Sequence, residues 1–174
     1  LKSGDKIAVF PIDESLAFNA SHKLLVSEED IKKHASSKMN ILRCLNELKE
    51  ADLLPLFEDN PKILILSRLV GALFSDGNLY EGKKNNYREI SFSLGQKEDV
   101  ENVIRDLNEL GFKKTHISER ESKGKILGRE FINRSLRVKC CSTAFWLFLK
   151  ALGVPGGNKT NTAYLIPQWL MKAP

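Results

Sequence analysis

A change of hydrophobic period, made twice between residues 63 and 152, constrains the fold more than any other feature of this chain. Leu66, Leu69, Val70 and Leu73 recur at the i, i+3, i+4, i+7 spacing of a helix, so 63–75 is expected to be helical and to end at Gly77. The period then drops to two. Extended runs are expected over about 78–83 and 87–94, joined through Gly82-Lys83-Lys84-Asn85-Asn86. In the second run Ile90, Phe92 and Leu94 alternate with Glu89, Ser91 and Ser93, which gives one buried and one open face. Helical spacing returns at Val100, Val103, Ile104, Leu107 and Leu110, with acids in the first turn and a stop at Gly111. Two more extended runs, about 112–121 and 130–140, flank the loop Ser122-Lys123-Gly124-Lys125. On the later strand Leu136, Val138 and Cys140 face one way and Ser135, Arg137 and Lys139 the other. Ser142 is placed to cap a third helix, Thr143 to Leu152, closed by Gly153 and Pro155. The order is helix, hairpin, helix, hairpin, helix. It predicts an α+β fold: a four-stranded antiparallel sheet with helices over its apolar face and its other face open.

Charge follows the same division. The net charge of +5 is unevenly spread: residues 1–62 hold nine Lys/Arg against eleven Asp/Glu, and residues 63–174 hold eighteen against eleven. Within the second part, 97–111 is acidic, while Lys83, Lys84, Lys113, Lys114, Arg120, Lys123, Lys125, Arg129, Arg134, Arg137 and Lys139 are spread over the extended runs. A basic surface beside one acidic helix is the asymmetry of a nucleic-acid-binding face with a solvated back. A basic face that serves solubility alone has the same composition. No run of eighteen apolar residues exists and no signal-peptide pattern opens the sequence, so no membrane partner is expected and the cytoplasm is the natural compartment. Cys44, Cys140 and Cys141 show no C-x-x-C spacing and read as small core or interface residues.

The chemistry, if present, lies in Leu69-Val70-Gly71-Ala72-Leu73-Phe74-Ser75-Asp76-Gly77. By its residues alone, Asp76-Gly77-Asn78 is a helix-terminating turn. An acid at a helix C-terminus is also disfavoured by the macrodipole unless a cation compensates it. The segment resembles the name-giving motif of the LAGLIDADG homing-endonuclease family. Leu69, Gly71, Leu73, Asp76 and Gly77 match it, while Phe74 replaces the first of its two acids and Ser75 its alanine. The resemblance covers about 63–174, including the αββαββα order, and implies a saddle-like sheet over a DNA duplex. It further implies Asp76, with the backbone of Gly77, as a ligand for Mg²⁺, and pairing with a second copy of the motif. Two such helices would meet through Leu69, Gly71, Ala72 and Ser75, since small residues four apart let helices approach more closely than the usual distance of roughly 8–10 Å. Lys139, at the end of the fourth strand where the family often places a basic residue, reads as catalytic or as one more phosphate contact. Arg88, Ser91, Ser93, Lys113, Lys114, Arg120, Arg134 and Arg137 are the candidate DNA contacts, although Arg88 shares the parity of Ile90 and could face elsewhere.

Two flanking segments extend the resemblance. Gly153-Val154-Pro155-Gly156-Gly157-Asn158-Lys159-Thr160 and Ile166-Pro167-Gln168-Trp169-Leu170 are similar to archaeal intein-borne members, in which a second module follows. Lys159 there reads as a loop lysine or a weak phosphate contact. A homodimer, or a second module from a longer polypeptide, would complete the site. Leu1 to Pro11 resembles the end of an intein splicing domain, without a nucleophile at Leu1 or a terminal asparagine at Pro174 for splicing. Residues 1–60 are therefore expected to form an N-terminal arm, helical over 28–51, and 61–174 the endonuclease module. Across a Ser36-Ser37 break, Ile31, Ile41, Leu42, Leu45 and Leu48 also suit a helix-turn-helix, but the acidic balance favours a packing arm. The expectation is a site-specific, Mg²⁺-dependent DNA endonuclease. The alternatives are a non-cleaving DNA- or RNA-binding module on the same fold, such as a maturase or regulator, and a helix-turn-helix regulator with an unrelated effector domain.

Overall fold

A computed structural model of the chain describes residues 21–36, 39–82, 87–126, 128–157, 159 and 164–172. The expected turn at Lys83 to Asn86 and the segment Leu1 to Pro11 lie outside them. The second part of the chain runs α3 (Ile63–Ser75), β3 (Gly77–Glu81), β4 (Arg88–Leu94), α4 (Lys97–Glu109), β5 (Thr115–Ile126), β6 (Arg129–Cys140) and α5 (Thr143–Ala151). It is preceded by β1 (Leu24–Val26), α1 (Glu28–Lys33), α2 (Ile41–Glu50) and β2 (Leu56–Phe57), and followed by α6 (Gln168–Lys172). The four long strands form one antiparallel sheet in the order β3-β4-β6-β5, so both hairpins place their later strand at the centre.

The helices end where local chemistry ends them. Ser142 accepts a hydrogen bond from the Phe145 backbone N–H at 3.1 Å and caps α5. Gly111 follows α4 at φ +94°, and the N–H of Phe112 donates back to the carbonyl of Leu107 at 2.8 Å, which satisfies one of the helix's last carbonyls. Leu79, Ile90, Phe92, Val138 and Cys140 are all buried on one side of the sheet, against the apolar stripes of the helices. Each fully buried Leu, Ile or Phe contributes roughly 1.5–3 kcal/mol relative to exposure. The core continues without a break into the N-terminal arm through Ile31, Cys44, Leu45 and Leu48, and α1 and α2 pack on α5.

One boundary differs from the sequence expectation. Residues 122–125, expected as a loop, are paired strand, and the hairpin turns between Ile126 and Arg129, where Gly128 has φ +82°. Gly124 lies opposite Phe131, whose ring a Cβ on Gly124 would meet at 2.4 Å. The aromatic ring covers the glycine and supplies the packing that glycine lacks.

Gly77 sits where α3 turns into β3. A Cβ there would lie 2.6 Å from the Cα of Leu73 and 2.7 Å from its Cδ2. Around Gly71, by contrast, a Cβ would meet nothing within 4 Å. Gly77→Ala is therefore expected to destabilise the chain by about 1–3 kcal/mol, and Gly71→Ala to stabilise the isolated chain by up to about 1 kcal/mol, both read from urea unfolding midpoints.

Candidate active site and nucleic-acid interface

Asp76 is the C-cap of α3; its backbone N–H donates to the Ala72 carbonyl at 3.0 Å and its carbonyl accepts from the Ser93 N–H at 3.1 Å. These two bonds hold the residue between the helix end and the edge of the sheet, with Asp76 exposed. The close approach at Gly77 makes the turn short enough for this. Lys159 reaches the same point. Gly157 donates to the Leu79 carbonyl at 2.9 Å and Gly156 bridges to Leu79, so the loop after α5 is stitched to β3. The Lys159 ammonium then donates to the carbonyls of Leu73, Phe74 and Ser75 at 2.9, 3.1 and 3.0 Å. It satisfies three carbonyls that the helix leaves open and opposes the negative end of the dipole. Burial pushes the Lys159 ammonium below the ordinary lysine range, and the nearby Asp76 charge opposes that shift. From the sequence Lys159 reads as a loop lysine or a weak phosphate contact, because nothing local indicates that its loop docks on α3.

The open face of the sheet is set by register, since directly opposed residues in an antiparallel ladder share a face. One rung runs Asn78, Ser91, Lys139, His116; the next joins Ser93, Arg137 and Ser118, and Ser93 also carries the bond to Asp76. Arg120 lies opposite Ser135 on the same face, exposed. Lys113 and Lys114 are exposed just before β5.

On the same face, near the start of β4 and opposite Tyr80, sits Glu89, 5% exposed, which sequence reasoning did not single out. Its carboxylate accepts from the Tyr87 hydroxyl at 2.7 Å and from Arg137 at 2.6 Å, and lies 3.4 Å from the Lys139 ammonium. The bond to Glu89 holds the Tyr87 phenol well above its usual range. Arg137 also donates to Ser91 at 3.1 Å. Two cations are thus held in place by one buried acid, and Lys139 is turned toward Glu89, one rung away from Asp76.

Four candidate residues stand elsewhere than expected. Arg88 is 4% exposed on the helix-covered face, paired with Glu81 and stacked 5.1 Å from the Trp146 ring centre, so it serves the core rather than DNA. Ser91 is 3% exposed beneath Arg137. Arg134, opposite Glu121 and ion-paired with it at 3.3 Å, has the parity of Leu136 and Val138 and projects from the other face than Arg137. Leu69 is 1% exposed in the chain's own core and does not face a partner. The outer side of α3 carries Leu64, Arg68, Gly71, Ala72 and Ser75 instead, with Arg68 bonded to Asp106 of α4 at 2.7 and 2.9 Å. Beside it Phe74 packs on Tyr164, and Tyr164, Leu165, Ile166 and Met171 are exposed. Among the described residues, no group of three or more His, Cys, Asp or Glu converges as a metal site, and no helix is long and apolar enough to cross a membrane.

No protein-family model matches the chain. It is 34% identical over 181 residues to the DNA-directed RNA polymerase subunit Rpo1N of Methanocaldococcus jannaschii, covering 100% of this chain and 13% of that protein. It is 32% identical over 174 residues to the tRNA-splicing ligase RtcB of the same organism, covering 97% and 17%. A third relative, the replication factor C small subunit of that organism, is 31% identical over 129 residues, covering 74% and 7%. The chain spans less than a fifth of the length of each. Among solved structures, the homing endonuclease I-WcaI bound to its DNA recognition sequence aligns with 73% of this chain and 50% of its own, at 14% identity and a TM-score of 0.34.

Removing the clamp on α3 should be measurable without any substrate. Lys159→Met keeps the aliphatic stem and deletes the charge, and is expected to lower stability by about 1 kcal/mol in urea unfolding at pH 7. An unchanged midpoint would show that the three carbonyl bonds contribute nothing net.

Proposed function

We propose that this chain is one half of a Mg²⁺-dependent double-strand DNA endonuclease of the LAGLIDADG homing type, completed by a second copy of itself. The observation that carries this reading is the position of Asp76. An exposed acid ends a helix whose outer side is lined by small residues, and it lies flush with a basic, open sheet face. Gly71 leaves room along α3 for another helix, and the exposed apolar residues beside it suit a docked partner. Two copies related by a two-fold axis would bring two Asp76 carboxylates together.

The pattern of relatives supports a self-contained insert. One segment spans nearly all of this chain yet less than a fifth of proteins named as a polymerase subunit and a tRNA ligase, whose named activities differ. In this reading, the segment they share with this chain has a function of its own.

In this reading each residue has a role. Asp76 provides a hard oxygen donor of the kind Mg²⁺ prefers. Among the described residues a single such acid stands at this point, so the donor set fits only as half of a site. Magnesium, when bound, supplies an activated water and offsets charge on the leaving oxygen. Lys159 fixes the helix end that bears Asp76. Arg137 and Lys139 draw the phosphate backbone onto the sheet, held in place by Glu89, and Ser93 and Arg120 project from the same face toward the groove. The single acid also favours a second reading, a DNA-binding module that does not cut.

Both readings are separated by a plasmid carrying the host coding sequence without the insert, incubated with the chain and Mg²⁺ or Ca²⁺. Cutting is expected with Mg²⁺ only and should fall at least about 100-fold in Asp76→Asn. Gly71→Leu should remain folded and lose cutting by blocking the helix approach. Cutting that persists in Asp76→Asn contradicts the assignment, and binding without cutting in the wild type selects the second reading.

A further inference from the structure

Between α2, the residues leading into β5 and the start of α5 lies a cleft of about 730 Å³. Arg43, Lys113 and Lys114 line it, all exposed. Glu47 is the acid on its wall, and that carboxylate is engaged by the Ser142 hydroxyl at 2.7 Å. Arg88, paired with Glu81, also lines the cleft, and Glu47 is the one acid among the lining residues, so the cleft keeps a net positive charge. Two helices begin at its rim, α2 after Asn40 and α5 after Ser142, and neither has an acid in its first turn, whereas α1 and α4 do. The positive ends of both dipoles add to the three side-chain charges.

Its position matters as much as its charge. Lys113 and Lys114 precede Thr115, so they continue from the rung that joins His116 to Lys139 on the open face. The basic surface thus runs from the sheet, around the end of β5, onto the arm. Arg43 is the arm's contribution. An extended polyanion lying on the sheet would meet the cleft next.

We propose that this cleft is a second contact for the DNA backbone, in which Arg43 of the N-terminal arm joins Lys113 and Lys114 to hold phosphates flanking the stretch that lies on the sheet. The inference rests on the DNA-binding reading above and adds the arm to the interface. Contacts of this kind are sequence-independent, so they position the duplex and leave base readout to the sheet.

Phosphate contacts are counted by salt dependence, because each neutralised phosphate adds about 0.9 to the slope of log affinity against log salt concentration. A labelled random-sequence 30-base-pair duplex suffices, titrated from 50 to 200 mM salt and read by fluorescence anisotropy, at concentrations of order micromolar typical of non-specific binding. The triple variant Arg43→Ala, Lys113→Ala, Lys114→Ala is compared with a control that removes equal charge from the arm and back, Lys32→Ala, Lys97→Ala, Arg105→Ala. The cleft variant is expected to lose roughly two to three from the slope and at least about tenfold in affinity at 100 mM salt. The control should keep the wild-type slope, and unfolding midpoints confirm that both variants fold. A wild-type slope in the cleft variant, or equal losses in both variants, overturns the proposal while leaving DNA binding intact. A wild-type chain that fails to bind the duplex at 50 mM salt overturns the DNA-binding reading and this inference together.

Discussion

The structure depends on the junction at which α3 turns into β3. Its tightness comes from one missing atom, since any Cβ on Gly77 would collide with Leu73 of the preceding turn. The tight turn brings Asp76 within hydrogen-bonding reach of Ser93, which ties the end of the helix to the rung that carries Arg137. An acid at the negative end of a helix is an unfavourable placement, and the Lys159 ammonium on the last carbonyls relieves part of it. Because the clamp comes from the loop after α5, the first helix of the αββαββα unit is tied at its end to the segment that follows the last. The backbone of Asp76 is thus fixed while its carboxylate stays exposed, which is the placement that the proposed metal role requires.

The sheet divides the same residues between two tasks. On the covered face Leu79, Ile90, Phe92 and Val138 make the core, and Arg88 joins them by lying against Trp146. The open face is organised around Glu89, which fixes Arg137 and Lys139 at the cost of one negative charge among the positive ones. In the free chain, that acid occupies cations that a phosphate backbone would also draw. Preorganisation of this kind limits the side-chain entropy lost when a ligand binds.

Much of the architecture was legible in the sequence because it is written in local signals. The change of period marked the elements, and Gly77, Gly111 and Ser142 marked the ends of α3 and α4 and the start of α5 within a residue or so. The polar, glycine-containing stretch 122–125 suits a loop by composition, but pairing across the ladder, with Phe131 opposite Gly124, makes it strand. At the candidate site, parity alone separated the faces, and it correctly raised the doubt over Arg88. Parity also sets Arg134 with Leu136 and Val138, against its assignment to DNA; what parity could not show is that Ser91 is covered by Arg137 or that Glu89 gathers two cations, because those facts depend on which strands pair and in what register. Leu69 was misplaced for a similar reason: a motif names a helix, but only packing decides which side faces the chain's own core. Lys159 lies 83 residues from Asp76 in sequence, and no periodicity connects them.

In the proposed enzyme, cutting requires two copies of Asp76, one from each of two paired chains. This requirement is tested most directly by co-refolding wild-type chain with an equal amount of Asp76→Asn and measuring Mg²⁺-dependent double-strand cleavage at fixed total protein. Random pairing predicts activity of about one quarter of the wild-type value, the share of pairs that carry two acids. Activity of about one half, the simple dilution expected when each copy acts alone, would contradict the account.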